Sequence, residues 1–209
     1  MILFTLTATL RTPIIMRGPM TLDAMLMAVL ERGDVSDLIQ CVDGLYYASG
    51  AQLVDPLPAI RASFVASMRP ERTPEWVDVI LPNANKKTDI AIGAQRRREA
   101  GNVLSGYQAL PARAVEWHAT GDADSVLEAL REVPFIGKRR AAGYGEVITW
   151  SVEAGDLDGL VGYQGEPLRP VPVERWVDGG DWPRVEAAWK PPYWSIKNRA
   201  ECVVNFGAI

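Results

Sequence analysis

One stretch of the chain concentrates residues able to hold a charged ligand: Gly137-Lys138-Arg139-Arg140-Ala141-Ala142-Gly143-Tyr144-Gly145, between a short helix and a β-strand. Glycines let a backbone come close to a ligand and display its N–H groups, while Lys138, Arg139 and Arg140 add positive charge. Phosphate is the guest this combination suits. Tyr144, set between two glycines, is expected to offer a face on which a nucleobase or ribose stacks. The plainer alternative is a solvated helix-to-strand turn with ordinary surface charges. No Gly-Lys-Ser/Thr follows, and the stretch precedes a strand, whereas the P-loop and the dinucleotide fingerprint both open a helix. Nucleotide hydrolysis is therefore not expected.

A second positive segment holds Lys86, Lys87, Arg96, Arg97 and Arg98 against Asp89 alone. On a projecting arm it would track a phosphate backbone, each neutralised phosphate adding to the salt dependence of binding. The competing view is a solvated charged face. His118 is the only histidine, so no two-histidine metal site or paired-imidazole nuclease centre can be assembled. Alone it would serve RNA cleavage only as a general base on a ribose 2′-hydroxyl, with another group holding the leaving oxygen. The alternative is a strand residue with a satisfied hydrogen bond. Cys41 and Cys202 have no neighbouring histidine and no Gly-x-Ser-x-Gly elbow occurs, which leaves acyl transfer unsupported. Asp43, Asp55 and the later acidic residues show no metal-ligand spacing. No catalytic residue, metal or cofactor is assigned.

These groups need a scaffold. With 209 residues and 48% hydrophobic composition the chain can bury one good core and an appended lobe. Its formal net charge of −4 excludes a uniformly basic coat, so any nucleic-acid surface is a local patch. Two distant cysteines without CxxC spacing, and an N-terminus that alternates Thr with apolar residues and has no basic leader, lead us to expect a reduced, cytoplasmic, soluble protein. The best continuous apolar run, Leu22 to Leu30, is too short for a membrane helix.

Ile2, Phe4, Leu6, Ala8 and Leu10 alternate with Leu3, Thr5, Thr7, Thr9 and Arg11, the period of a half-buried strand. Past Arg17-Gly18-Pro19, Thr21 is placed to cap a helix with Leu22, Met25, Leu26, Val29 and Leu30 on one face, and Gly33 to stop it. Strands are expected around Gly44–Val54 and over Ile60–Met68. From about 70 to 111 the pattern weakens, and we read an inserted basic arm. Regularity returns with a strand at Ala114–His118 and a helix opening at Gly121-Asp122-Ala123-Asp124, with Val126, Leu127 and Leu130 inward and Ser125 and Glu128 at capping-box spacing. After the basic loop, Glu146–Glu153 reads as a strand with Ile148, Trp150 and Val152 on one face. Two β-α-β halves imply an α+β fold of ferredoxin-like (RRM-like) type, an antiparallel sheet with helices on one side, over residues 1–153. Residues 154–209 form a Pro/Trp-rich extension, which holds four of the seven tryptophans; over 151–189 three basic residues face eight acidic ones. This extension is expected to meet protein.

The order strand, capped helix, glycine-rich loop ending Gly-x-Gly, strand, carried by Phe135-Ile136-Gly137 through Gly143-Tyr144-Gly145-Glu146-Val147, resembles the RAMP superfamily of CRISPR-associated proteins. Here Gly137 stands alone before Lys138, where the family pattern often has Gly-x-Gly. Met20-Thr21-Leu22-Asp23-Ala24-Met25-Leu26 is similar to the first helix of the small RAMP subunit that caps the guide RNA's 5′ handle, and Lys190-Pro191-Pro192-Tyr193-Trp194 looks like the version of that subunit in type IV effector complexes. The resemblance implies a ferredoxin-like, non-catalytic subunit that holds the 5′ end of a CRISPR RNA in defence against foreign nucleic acid. It also implies contacts with backbone RAMP subunits and a large subunit; whether target DNA is touched stays open. Gly137, Lys138, Arg139, Arg140, Gly143, Tyr144 and Gly145 would contact RNA, and Arg96 to Arg98 would belong to the arm. Two alternatives stand beside it: an endoribonuclease of the same superfamily that processes precursor RNA through His118, and a ferredoxin-like interaction module without RNA.

Overall fold

β1 (Ile2–Leu10) forms where the sequence alternates. In the computed structural model, which describes residues 1–16, 18–66, 103–177 and 180–205, Phe4, Leu6, Ala8 and Leu10 are buried while Thr5, Thr7 and Thr9 face away. α1 (Leu22–Val29) buries Leu22, Met25 and Leu26 on its inner face, but its start and stop differ from expectation. Thr21 stands at the N-cap position without a side-chain capping bond; the Leu22 N–H instead donates to the Ser49 carbonyl at 3.2 Å. The helix ends before Gly33, at a left-handed Glu31 (φ 52°), where the Arg32 N–H reaches back to the Met27 carbonyl at 3.1 Å. That six-to-one bond is the Schellman closure of a helix terminus.

The region 44–54 is broken into pieces. β2 (Cys41–Val42) and β3 (Leu45–Tyr46) make a tight hairpin closed by Asp43-Gly44, both with positive φ, the conformation that a two-residue hairpin turn requires. Only β4 (Gln52–Val54) joins the main sheet. β5 (Ile60–Ala66) pairs instead with β6 (Val103–Ala109), where Phe64 and Tyr107 meet edge to face at 5.6 Å. Ser67, Met68, Lys86, Lys87 and Arg96 to Arg98 lie outside the described residues, with most of the expected arm. The described residues fall into two compact units, one drawn from Met1–Ala59 and Ala109–Ile209, the other from Ile60–Gln108.

In the larger unit β7 (Ala114–Gly121), α2 (Ala123–Leu130) and β8 (Val147–Ala154) complete the layers. The cap of α2 is Asp122, whose carboxylate accepts from the Ser125 N–H at 3.2 Å and the Ser125 hydroxyl at 2.8 Å. The Ser125–Glu128 capping box is thus displaced: Asp122 sits one turn earlier, and Glu128 pairs with Arg131 at 2.9 Å. The sheet runs β4-β7-β1-β8, every pair antiparallel, with β1 and β7 in the centre. Both helices join the inner-face core, where Leu22, Leu26, Val126 and Leu130 belong with Phe4, Leu6, Val115 and Trp117. Each such large side chain contributes about 1.5–3 kcal/mol on burial. The architecture is α+β. Between Thr9 and Leu10 the pairing with β8 shifts, Thr9 opposing Thr149 and Leu10 opposing Val147. The extra residue of this bulge is Ile148, which therefore turns outward and is 53% exposed, while Trp150 keeps its inward position.

The acidic extension packs as a second small core. β9 (Val171–Pro172), β10 (Arg184–Ala188) and β11 (Arg199–Val203) make an antiparallel sheet ordered β10-β11-β9, closing over Leu45, Leu160, Trp189 and Cys202. Between the two cores lies a buried ionic cluster. Arg169 Nη1 donates to Asp23 Oδ1 (3.1 Å), the Tyr46 carbonyl (2.8 Å) and the Ala48 carbonyl (3.0 Å), and Nη2 to the Trp189 carbonyl (3.2 Å) and Tyr193 hydroxyl (2.7 Å). The Tyr193 hydroxyl in turn donates to Asp23 Oδ2. Both charged side chains are fully buried. Removing one partner strands the other charge in a dry site, so Arg169→Met is expected to cost about 3–5 kcal/mol. Asp23→Asn with Arg169→Met should cost less than the two single changes added together, as denaturant melts of the four proteins will read.

Candidate nucleic-acid interface

The basic loop is docked on the segment that follows β1. Its first half is held by the Lys138 N–H donating to the Ile15 carbonyl at 2.8 Å, and its end by the Gly145 N–H donating to the Pro13 carbonyl at 3.0 Å. The Ile136 N–H donates to Gly145 O at 2.9 Å, pinching the loop's base, and a one-turn 3-10 helix at Arg140–Ala142 fills its tip. Below, the Glu146 N–H donates to Thr12 Oγ1 at 2.9 Å and Arg11 Nη1 pairs with Glu146 Oε1 at 2.8 Å. The sheet bulge at Ile148 lies just beyond.

Three of the loop's residues have glycine for different reasons. A Cβ on Gly145 (φ 71°) would sit 2.0 Å from the Ile136 carbonyl oxygen, and one on Gly137 (φ 79°) 2.7 Å from the Ile15 oxygen. These two glycines admit the protein's own backbone, not a ligand. Gly143 (φ 84°) has open space around it and is there for its left-handed turn alone. Four loop N–H groups, those of Lys138, Ala142, Gly143 and Gly145, donate within the protein. Those four are not offered to an anion, whose attraction to the loop comes chiefly from the exposed side-chain charges. Lys138, Arg139 and Arg140 are all exposed, and among the described residues Lys138 and Arg140 pair with no carboxylate. Tyr144 is half-buried, less displayed than the flanking glycines suggest.

His118 lies on the opposite, outer face of the sheet. Its Nδ1 shares a 3.0 Å hydrogen bond with the Thr5 hydroxyl directly across on β1. Burial pushes its pKa below the ordinary histidine range, with Glu116 opposing the shift. Across β1, Thr5 pairs on its other side with Glu153 of β8. The histidine and the basic loop therefore occupy different faces. The outer face of β1 and β7 carries Thr5, Thr7, Thr9, Glu116, His118 and Thr120 without an aromatic residue, so the stacking sheet of an RRM is not built here. Among the described residues no group of three His, Cys, Asp or Glu side chains could hold a metal ion, and no helix is long and apolar enough to cross a membrane.

Fold and site together define an α+β chain that displays a short basic loop docked beside its central strand. The chain belongs to the family of the CRISPR type IV associated protein Csf3, whose model matches residues 73–205, from the segment before the loop through the C-terminal sheet. That family points to a role in a CRISPR effector complex alongside other Cas subunits. No match is found among curated proteins. Sequence reasoning passed over Arg11, Thr12 and Ile15, which seat the loop, and the Asp23–Arg169–Tyr193 cluster. The one signal that could have found the cluster was an Asp inside the first turn of an otherwise apolar helix face.

Gly145→Ala is expected to destabilise the fold far more than Gly143→Ala, whose strain amounts to about 1–2 kcal/mol; equal thermal shifts for the two would contradict the docking geometry. For His118 the folded pKa lies below the unfolded one, so unfolding takes up a proton. The neutral ring's contribution is complete above about pH 6.5 and is lost as pH falls below it. Melting temperature should drop between pH 7.5 and 5.5 in the native protein and drop less in His118→Gln.

Proposed function

We propose that this chain is a non-catalytic RNA-binding subunit of a type IV CRISPR effector complex, with a ferredoxin-like RAMP core, and that its loop at 137–145 holds the 5′ handle of the guide RNA. The observation that carries this is the exposed Lys138-Arg139-Arg140 run, fixed in position on a docked loop, in a chain whose net charge is −4. A stretch of positive charge that the fold takes trouble to immobilise, in a protein otherwise acidic, suits a polyanion better than a free surface. The order β-α-β-β-α-β, laid out as β4-β7-β1-β8 with all pairs antiparallel, supports the ferredoxin-like reading of the core. The carboxylates Glu116 and Glu153 on the outer sheet face disfavour phosphate there, which favours the loop as the RNA contact among the described residues.

Protein partners suit the other end of the molecule. The loop after β10 is pinned from beneath by Tyr193, yet presents Trp194 (85% exposed) and Ile196 (81% exposed) outward. Rigid, exposed large apolar side chains of this kind anchor subunit contacts. The endoribonuclease reading rests on His118, whose depressed pKa would suit a general base. Its position on the face away from the basic loop weighs against it.

Arg139→Glu with Arg140→Glu should abolish guide-RNA retention and leave the melting temperature within a few degrees of native, because both side chains are exposed. Co-purified RNA and a filter-binding titration measure this. Undiminished retention would refute the proposal, and cleavage of repeat RNA that disappears in His118→Ala would replace it with the nuclease reading.

A further inference from the structure

The loop forms one wall of a groove of about 440 Å³, whose other walls are the segment before α1 and the exposed side of α1 itself. We infer that this groove takes one unstacked nucleobase of the RNA whose phosphates lie on Lys138 and Arg140, and takes it by shape without reading its edge. The inference rests on the RNA reading of the loop and adds a base-binding site beside the phosphate site.

Four properties of the groove lead there. Its size lies within the roughly 300–1,000 Å³ range of small-ligand sites. Its lining is apolar and soft: it includes Met16, Met20, Met25 and Phe135, and thioethers pack well against flat aromatic rings. Among the described residues its lining includes no Asp or Glu, although the chain as a whole is acidic, and the charged side chains in that lining are the exposed cations Lys138 and Arg140 at the loop. An occupant complementary to this is flat and apolar in its body and anionic at one end, which describes a nucleotide. A purely aliphatic side chain would leave the cations unused, and an acidic peptide would leave the methionine lining unused.

The fourth property is that the walls are fixed in advance. Trp117 Nε1 donates to the Met20 carbonyl at 2.8 Å and Trp150 Nε1 to the Val133 carbonyl at 3.0 Å, so the two indoles, stacked on each other 6.0 Å apart over β1, each hold one side of the groove. The Lys138 N–H on Ile15 holds the third. A preformed groove lowers the ordering cost of binding. On α1 the groove side is lined by Ala24 and Ala28, one helical turn apart, whose small side chains leave the space open. Among the described residues the lining offers no Asn, Gln, Ser, Thr or Asp side chain to read a Watson–Crick edge, so the site should accept any base.

The test is fluorescence anisotropy of the full chain with labelled oligouridylate and with a ribose-phosphate strand of the same length lacking bases. The native protein should bind oligouridylate about tenfold more tightly than the abasic strand, in keeping with a single stacked base. Ala28→Trp, at an exposed helical position, should remove that preference while leaving the abasic affinity unchanged. Ala28→Glu, which adds a carboxylate to a groove that has none and preserves helix propensity, should also remove the preference and serves if the tryptophan variant does not fold. Arg139→Glu with Arg140→Glu should lose both strands. Equal binding of the two strands by the native protein, or a base preference that survives in both Ala28 variants, would overturn the groove while the loop reading stands. Polyglutamate that displaces oligouridylate from the native protein but not from Ala28→Trp would also overturn it, making the groove a peptide site. A native protein that binds neither strand would overturn both readings.

Discussion

The most heavily bonded point at which the C-terminal extension meets the α+β core is one buried guanidinium. Arg169 joins a carboxylate on α1, two carbonyls at the end of the β3 segment and a carbonyl and a hydroxyl of the extension. Burying two charges is expensive, and pairs of this kind add little net stability compared with apolar replacements. What they do is geometric. An arginine whose two terminal nitrogens are held from several directions at once admits only one arrangement of the elements that supply the acceptors. Burial alone would make Arg169 easier to deprotonate, yet the Asp23 and Tyr193 oxygens hold it more firmly charged than an isolated side chain, while burial, with Asp23 adding and Arg169 opposing, pushes the Tyr193 hydroxyl's own pKa up. Tyr193 therefore stays a neutral donor to Asp23, and the charge compensation within the cluster is between Arg169 and Asp23.

The parts of this structure that were legible in the sequence are those whose cause is local. Alternation in β1 and the helical spacing of Leu22, Met25 and Leu26 came through because each reports one buried face of one element. The basic loop came through because its residue types are unusual wherever they stand. Errors arose where a distant residue decided a local outcome. Ile148 shares the parity of Trp150, and only the pairing of Leu10 with Val147 reveals that it is the spare residue of a bulge. Thr21 has the right type for a cap and stands at the N-cap position, yet its side chain makes no capping bond, and the first helical N–H, that of Leu22, is met by the distant Ser49 carbonyl. Ile60–Ala66 alternates as well as any sheet strand, and alternation carries no information about its partner, which is β6 and not β1 or β7. Asp23 and Arg169 stand 146 positions apart, beyond the reach of any periodicity.

The charge distribution follows a division of labour among faces. Acidic residues outnumber basic ones over 151–189, the outer side of the sheet carries Glu116 and Glu153 among its threonines, and the loop's cations stand on the helix side. Long-range attraction between a polyanion and a chain of net charge −4 is weak, so a nucleic acid must be drawn by the local field within a Debye length of about 8 Å at physiological ionic strength. Such a field has an effect only if its sources are close together and do not wander. The docking of the loop supplies that condition: Ile15 and Pro13 accept its N–H groups, Thr12 accepts that of Glu146 just past it, and the left-handed glycines let it lie flat enough to be held.

Trp117 and Trp150 link the core to the groove. Each ring is buried against β1, where Ala8 leaves room for the pair to stack, and each indole N–H leaves the core to grip a carbonyl on the groove wall. Two jobs usually given to different residues, filling the interior and positioning a surface, fall here to the same two side chains. The opening of the groove is therefore set by the packing of the sheet, and not by loop preference alone. A substitution that shifts either indole by a fraction of an ångström moves Met20 or Val133 with it, which makes the interior of this domain a determinant of what its surface can hold.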